Sequence, residues 1–230
     1  VFYSPRGHIG FVHYPKTAGT SLQHWFRRVF PDGDLLDPEN PHLTVASSLA
    51  AVQERRKRAG RGWRKWVPSL LGGCPKREAV PRIVGVIRDP LAMLVSLYEY
   101  WRRHDFAVEP TAAFIRCARQ DSFHAFVRMA VVDGQAPTYE WFFDVGGPAW
   151  PSTRLINYHA LERGLEELCG ELGIDRPPYL EKRNATSGTR DLDAYRREVG
   201  SLIDDVERHF RWYYEYGRAI ALGSGWSRAA

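Results

Sequence analysis

At 230 residues and 26.4 kDa the chain can bury one sizeable core, and a second independent domain would be cramped. Hydrophobic residues make up 44% and charged residues 26%, an ordinary globular balance, and the net charge of +5 suggests an acidic ligand or partner. Cys74, Cys117 and Cys169 form no CxxC pair, no run approaches the roughly 18 apolar residues that span a bilayer, and no signal-like segment is present.

In chain order, the apolar run Ile9, Phe11, Val12 and Tyr14 stops at Pro15 and reads as a strand. A small polar loop follows, and Leu22, Trp25, Phe26 and Val29 then recur at helical spacing. Residues 31–43, rich in Pro, Asp and Gly, read as loop. Thr44 is placed to cap a short helix ending near Gln53. Seven basic residues in the eleven from Arg55 to Lys65 repel one another, and the spacing predicts a mobile basic loop over 55–80. Residues 82–87 suit a strand buried on both faces of a parallel sheet. Asp89-Pro90 predicts a helix start, continued by Leu91, Leu94, Val95, Tyr98 and Trp101. Helices are expected near 110–119 and 121–132, then a turn-rich aromatic region (Tyr139, Trp141, Phe142, Phe143, Trp150), a strand over 153–158 and a helical stripe from Leu161 to Leu172. The last apolar stripe, Leu192 to Ile220, would make a helix of roughly 45 Å if unbroken. The expected organisation is one domain over 1–222 with a flexible tail at 223–230. Alternating strands and helices imply an α/β fold with a central parallel sheet flanked by helices.

Strand, tight loop and helix aim backbone N–H groups at an anion, and Lys16 adds a positive charge beside them. A nucleotide kinase is the obvious candidate. However, Walker A places Lys directly before its Ser or Thr, whereas here Lys16 stands at the front of the loop and Gly19 is followed by Thr20 and Ser21. The strand at 82–87 ends in Arg88 instead of a magnesium-binding carboxylate, which suits a second anion.

The stretch Pro15-Lys-Thr-Ala-Gly-Thr-Ser21 resembles the 5′-phosphosulfate loop of sulfotransferases that use 3′-phosphoadenosine 5′-phosphosulfate (PAPS). Residues 88–96 resemble their 3′-phosphate site, with Arg88 at a strand end and Ser96 eight residues later. The carbohydrate-type enzymes, including heparan and uronyl 2-O-sulfotransferases and small bacterial homologues, are the most similar. The resemblance runs on through Leu155-Ile-Asn-Tyr158 and Arg183-Asn-Ala-Thr-Ser187, departing at Met93, where many relatives have Arg. It implies a P-loop-like three-layer fold and transfer of a sulfuryl group to a hydroxyl acceptor, a carbohydrate first, releasing 3′-phosphoadenosine 5′-phosphate without a metal. Lys16, Thr17, Ala18, Gly19, Thr20 and Ser21 would hold the 5′-phosphosulfate. Arg88 and Ser96 would grip the 3′-phosphate, and Arg183, Thr186 and Ser187 would form a lid.

The acceptor needs a base. By the same resemblance, the stretch Pro41-His42-Leu-Thr44 supplies His42; its alternatives are a capping role for His42 and a carboxylate base, Asp37, Glu39 or Glu99. His13 reads as a strand residue hydrogen-bonded beneath the loop. The basic run reads first as a solvated segment and otherwise as a lure for an acidic glycan, with Trp63 and Trp66 stacking on sugars. No nucleic-acid partner is expected, because a cofactor with several phosphates meets the charge. The unpaired cysteines and the lack of a signal or anchor favour bacterial cytoplasm, with a trimmed Golgi lumenal domain as the alternative. A magnesium-dependent kinase and a non-catalytic glycan- or nucleotide-binding module remain the rival readings.

Overall fold

The near-continuous apolar run Ile83 to Ile87 needs cover on both faces, and the fold provides it. The structure, a computed structural model, describes residues 1–63, 80–103, 113–175, 178–181 and 191–217, with backbone alone over 59–63. Strands β1 (Phe2–Ser4), β2 (Ile9–Val12), β3 (Asp34–Leu35), β4 (Arg82–Ile87) and β5 (Thr153–Asn157) form one sheet in the order β3-β1-β2-β4-β5. β2, β4 and β5 run parallel, as expected, whereas β1 is antiparallel to both β2 and β3. The sheet is therefore mixed. Its antiparallel edge comes from Phe2–Ser4, in the N-terminal stretch, and from a piece of the 31–43 segment expected as loop.

Helices α1 (Gly19–Val29), α2 (Val45–Trp63), α3 (Pro90–Arg103), α4 (Ala113–Gln120), α5 (Phe123–Val131), α6 (Tyr139–Phe143), α7 (Leu161–Glu171), α8 (Leu192–Val199) and α9 (Ile203–His209) surround this sheet. Side-chain alternation along β4 serves two cores. Val84 and Val86 join Phe11, Leu22, Phe26, Ile156, Leu165 and Leu168, which belong to β2, α1, β5 and α7. Ile83 and Ile87 join Val12, Leu94, Tyr98, Phe126 and Phe210 on the other face. Gly85 has no side chain because a Cβ would come within 2.3 Å of the Phe143 ring, so that ring packs directly on the strand.

The caps behave as their chemistry requires. Asp89 Oδ1 accepts from the Ala92 N–H at 2.9 Å, and Thr44 Oγ1 accepts from the Ser47 N–H at 3.1 Å. Three expectations need correction. α2 does not stop near Gln53 but runs to Trp63, so residues 55–63 of the expected mobile loop are helical. Arg, Lys, Glu and Ala are strong helix formers. A Glu54–Lys57 ion pair at 2.8 Å and hydrogen bonds from Arg56 to the Tyr3 hydroxyl (3.0 Å) and His8 Nδ1 (3.2 Å) offset the self-repulsion. The turn-rich aromatic region contains α6, capped by Thr138 Oγ1 accepting from the Trp141 N–H. The long C-terminal helix is broken: Gly200, at φ 57°, ends α8, a 3-10 turn leads into α9, and Tyr213–Gly217 is a π-helical turn. The expected tail at 223–230 and residues 64–79 of the expected loop lie outside the described residues.

Candidate functional site

The parallel strands all point the same way, so the segments leaving β2, β4 and β5 collect at one end of the sheet. Parallel α/β sheets place ligands at that end. A cleft of about 1170 Å³ opens there.

After β2 the chain makes a tight turn in which Lys16 (φ 60°) and Ala18 (φ 62°) both adopt the left-handed conformation. A non-glycine residue in this region is costly, and two of them within three positions mark a loop held by its surroundings. Thr17 provides one hold, because its fully buried hydroxyl donates to the Tyr14 carbonyl at 2.7 Å. Arg88 provides another, donating from its guanidinium to the Lys16 carbonyl at 3.2 Å. Gly19 begins α1 against the ring of His13, where a Cβ would lie 1.7 Å from His13 Nε2. The N-cap of α1 is Ala18, which offers no capping side chain, and the first turn carries no acidic residue. The positive end of the helix dipole therefore meets the cleft without a protein carboxylate at that turn.

Two cations stand beside it. Lys16 Nζ lies 3.9 Å from the centre of the Tyr100 ring on α3. β4 and β5 end in register, Ile87 opposite Asn157, so Arg88 and Tyr158 emerge side by side. The Arg88 guanidinium lies 4.4 Å from the centre of the Tyr158 ring. The buried Tyr139 hydroxyl fixes the backbone here, donating to the Arg88 carbonyl at 2.7 Å and accepting from the Arg88 N–H at 3.2 Å. Ser96, 3% exposed, lies two turns along α3 on the cleft wall.

The cleft thus joins Lys16, Ala18, Gly19, Thr20, Ser21, Arg88 and Ser96. Thr17 is the exception: its side chain is part of the scaffold under the loop. Arg183, Thr186 and Ser187 lie outside the described residues. Met93 is buried in the core at 1% exposure.

His42 also lines the cleft. Its Nδ1 lies 2.9 Å from the His13 carbonyl. A carbonyl only accepts, so Nδ1 carries the proton and Nε2 keeps the lone pair of a base. Desolvation lowers the His42 pKa below its ordinary value; the hydrogen bond to the His13 carbonyl opposes this, and the charge of Lys16 adds to it. The competing carboxylates are elsewhere. Glu99 is buried and accepts from the Tyr195 hydroxyl at 2.5 Å and from Arg103 at 2.6 Å. Asp37 accepts from the N–H groups of Glu39 and Asn40 in a local turn. Neither these two nor Glu39 lines the cleft.

His13 also differs from expectation. It follows the end of β2, its ring lines the cleft, and its Nδ1 is buried with no hydrogen-bond partner among the described residues. Within the basic run, Arg56 binds His8 at the entry of β2, whereas the cleft lies beyond its exit; the side chains of Arg61, Arg64 and Lys65 lie outside the described residues. Trp66 lies outside the described residues, and the structure describes only the backbone of Trp63. Tyr100, Tyr139 and Tyr158 were not among the expected site residues. Their contacts join segments far apart in the sequence, and no local spacing signals them.

Among the described residues no group of three or more His, Cys, Asp or Glu is arranged to hold a metal ion, and no helix is long and apolar enough to cross a membrane. No protein-family model, no curated protein and no solved structure matches the chain.

Proposed function

We propose that the protein is a PAPS-dependent sulfotransferase acting on a hydroxyl acceptor, with a carbohydrate as the class we put first, and that its α/β architecture is the P-loop-like three-layer fold of that family. The observation that carries this reading is that Arg88 and Ser96 share one cleft with Lys16 and the uncapped first turn of α1. An ammonium and a guanidinium, each with hydrogen-bonding neighbours in one cleft, suit a ligand anionic at two places, as a nucleotide with 5′ and 3′ phosphates is. The donor set fits such a group: an ammonium, a guanidinium, a buried hydroxyl and a helix N-terminus.

The bound donor supplies an activated sulfuryl group on a phosphate leaving group. In this proposal Lys16 and the first-turn N–H groups of α1 stabilise the charge that grows on the leaving 5′-phosphate. Arg88 and Ser96 hold the 3′-phosphate and so orient the nucleotide. The acceptor oxygen forms the new bond to sulfur as the sulfur–phosphate oxygen bond breaks, and His42 Nε2 takes the acceptor proton. A bacterial cytoplasmic setting belongs to the same proposal; buried, free Cys117 and Cys169 accord with it. The test is transfer of label from ³⁵S-PAPS to a panel of sugars, polysaccharides, alcohols and phenols. Labelled product that depends on Lys16 is expected. Failure to label any acceptor, with the donor left intact, would count against the enzyme reading and favour a binding module.

A further inference from the structure

The ring of His13 lies between the two halves of the site. One side is 4.5 Å, centre to centre, from the His42 ring. Gly19, at the start of α1, packs over the Nε2 end of a ring face, where only a glycine leaves room. Phe11 stacks nearby at 6.2 Å with planes 19° apart, which restrains the ring. Nδ1 is buried and unpartnered among the described residues. A neutral imidazole has one N–H and one lone pair. Burying an unpaired lone pair is the smaller cost, because orphaned N–H groups are the rarer case in folded proteins. The proton therefore belongs on Nε2, at the cleft wall beside the helix N-terminus. The titratable side chains facing the ring are His42 and Lys16. Burial first, and then repulsion with these neighbours, holds the His13 pKa well below the ordinary value, so the ring stays neutral at physiological pH.

We propose that the Nε2–H of neutral His13 is a further hydrogen-bond donor to the anion held between the Lys16 loop and the first turn of α1. A neutral imidazole beside a helix N-terminus can donate without adding a charge that would have to be neutralised on product release. The idea rests on reading the loop as an anion clamp, and the experiment separates the two. In the full chain with ¹⁵N-labelled histidine, His13 should appear as the Nε2–H tautomer and resist protonation well below pH 6.5. Its ring signals should move on adding 3′-phosphoadenosine 5′-phosphate or inorganic phosphate. His13→Phe keeps a ring against Phe11 and should weaken nucleotide binding on the order of tenfold, while His13→Gln, whose amide nitrogen replaces Nε2, should restore most of it. If the nucleotide binds and the His13 signals stay still, or His13→Phe binds like the parent, the His13 proposal fails and the donor reading stands. If phosphate moves the His13 signals but the nucleotide binds no better than AMP, His13 is upheld and the donor reading fails. A proton found on Nδ1, or no response to either ligand, overturns the His13 proposal.

Discussion

In the proposed mechanism Lys16 is the residue on which the chemistry turns, and the Tyr100 ring is one of its neighbours. The Tyr100 ring face, 3.9 Å from Nζ, holds the ammonium at the cleft wall, an interaction of about 0.5–2 kcal/mol that a phosphate can readily displace. Lys16→Ala should lower kcat by roughly a hundredfold or more, the scale of losing one transition-state donor, with the thermal midpoint nearly unchanged. An unaltered rate would remove Lys16 from the mechanism. For His42 the pH profile is the sharper probe. Because desolvation lowers its pKa, the base form persists to more acid pH than for a free imidazole. Activity should therefore rise with pH to a half-point below 6.5, and His42→Ala should abolish that limb. A half-point unchanged in the alanine variant would pass the role to another group. Glu99 belongs to stability. Burial raises its pKa, but the Tyr195 hydroxyl, Arg103 and Arg102 outweigh this and hold it below 4.5. A depressed carboxylate stabilises the fold above its unfolded pKa, and that contribution is lost as pH falls through the folded value. Glu99→Gln should lower the melting temperature at pH 7 and flatten its decline below about pH 4.5. An unchanged acid limb would contradict this.

At the scale of elements, the β2–loop–α1 unit depends on close packing between His13 and Gly19. Gly19→Ala would press a methyl group into the His13 ring, at a cost of about 1–3 kcal/mol from overpacking, and should weaken anion binding as well. Full stability and full binding in this variant would show that the contact is slack. The unit was legible in the sequence because an apolar run, Pro15 and a new 3.6-residue period fall within a few positions, and Asp89-Pro90 marked the second unit in the same way. The weaker elements lacked such marks. Three residues of β1 and two of β3 are too few to show alternation, and they are strands only because each pairs with a neighbour. The break at Gly200 was hidden because the apolar stripe persists through a 3-10 turn, although the glycine itself was the available signal. Of the candidate site, Lys16 and Arg88 were legible from their places after strands, and Ser96 only through the family resemblance. The aromatic faces beside the cations, and His13 as more than a strand residue, arise from tertiary contacts that local spacing does not encode.

For the whole molecule, the two ends of the sheet have different characters. The cleft end collects Lys16, Arg88 and His42, whereas the basic face of α2 is tied to the entry end of β2 through Arg56, Tyr3 and His8. Charge reversal on the exposed α2 residues Arg55 and Arg58 should therefore leave nucleotide affinity within about twofold at physiological salt, where the Debye length is about 8 Å. A large loss would mean that the helix contributes to the site after all. The central claim is that two anion-binding centres in one cleft hold a nucleotide phosphorylated at both its 5′ and 3′ positions. Isothermal titration calorimetry of the protein with 3′-phosphoadenosine 5′-phosphate, AMP and ATP tests it most directly. The 3′,5′-bisphosphate should bind at least tenfold more tightly than either competitor, about 1.4 kcal/mol, and Arg88→Ala should erase most of that margin. Equal binding of all three, or tighter binding of ATP, would contradict the account.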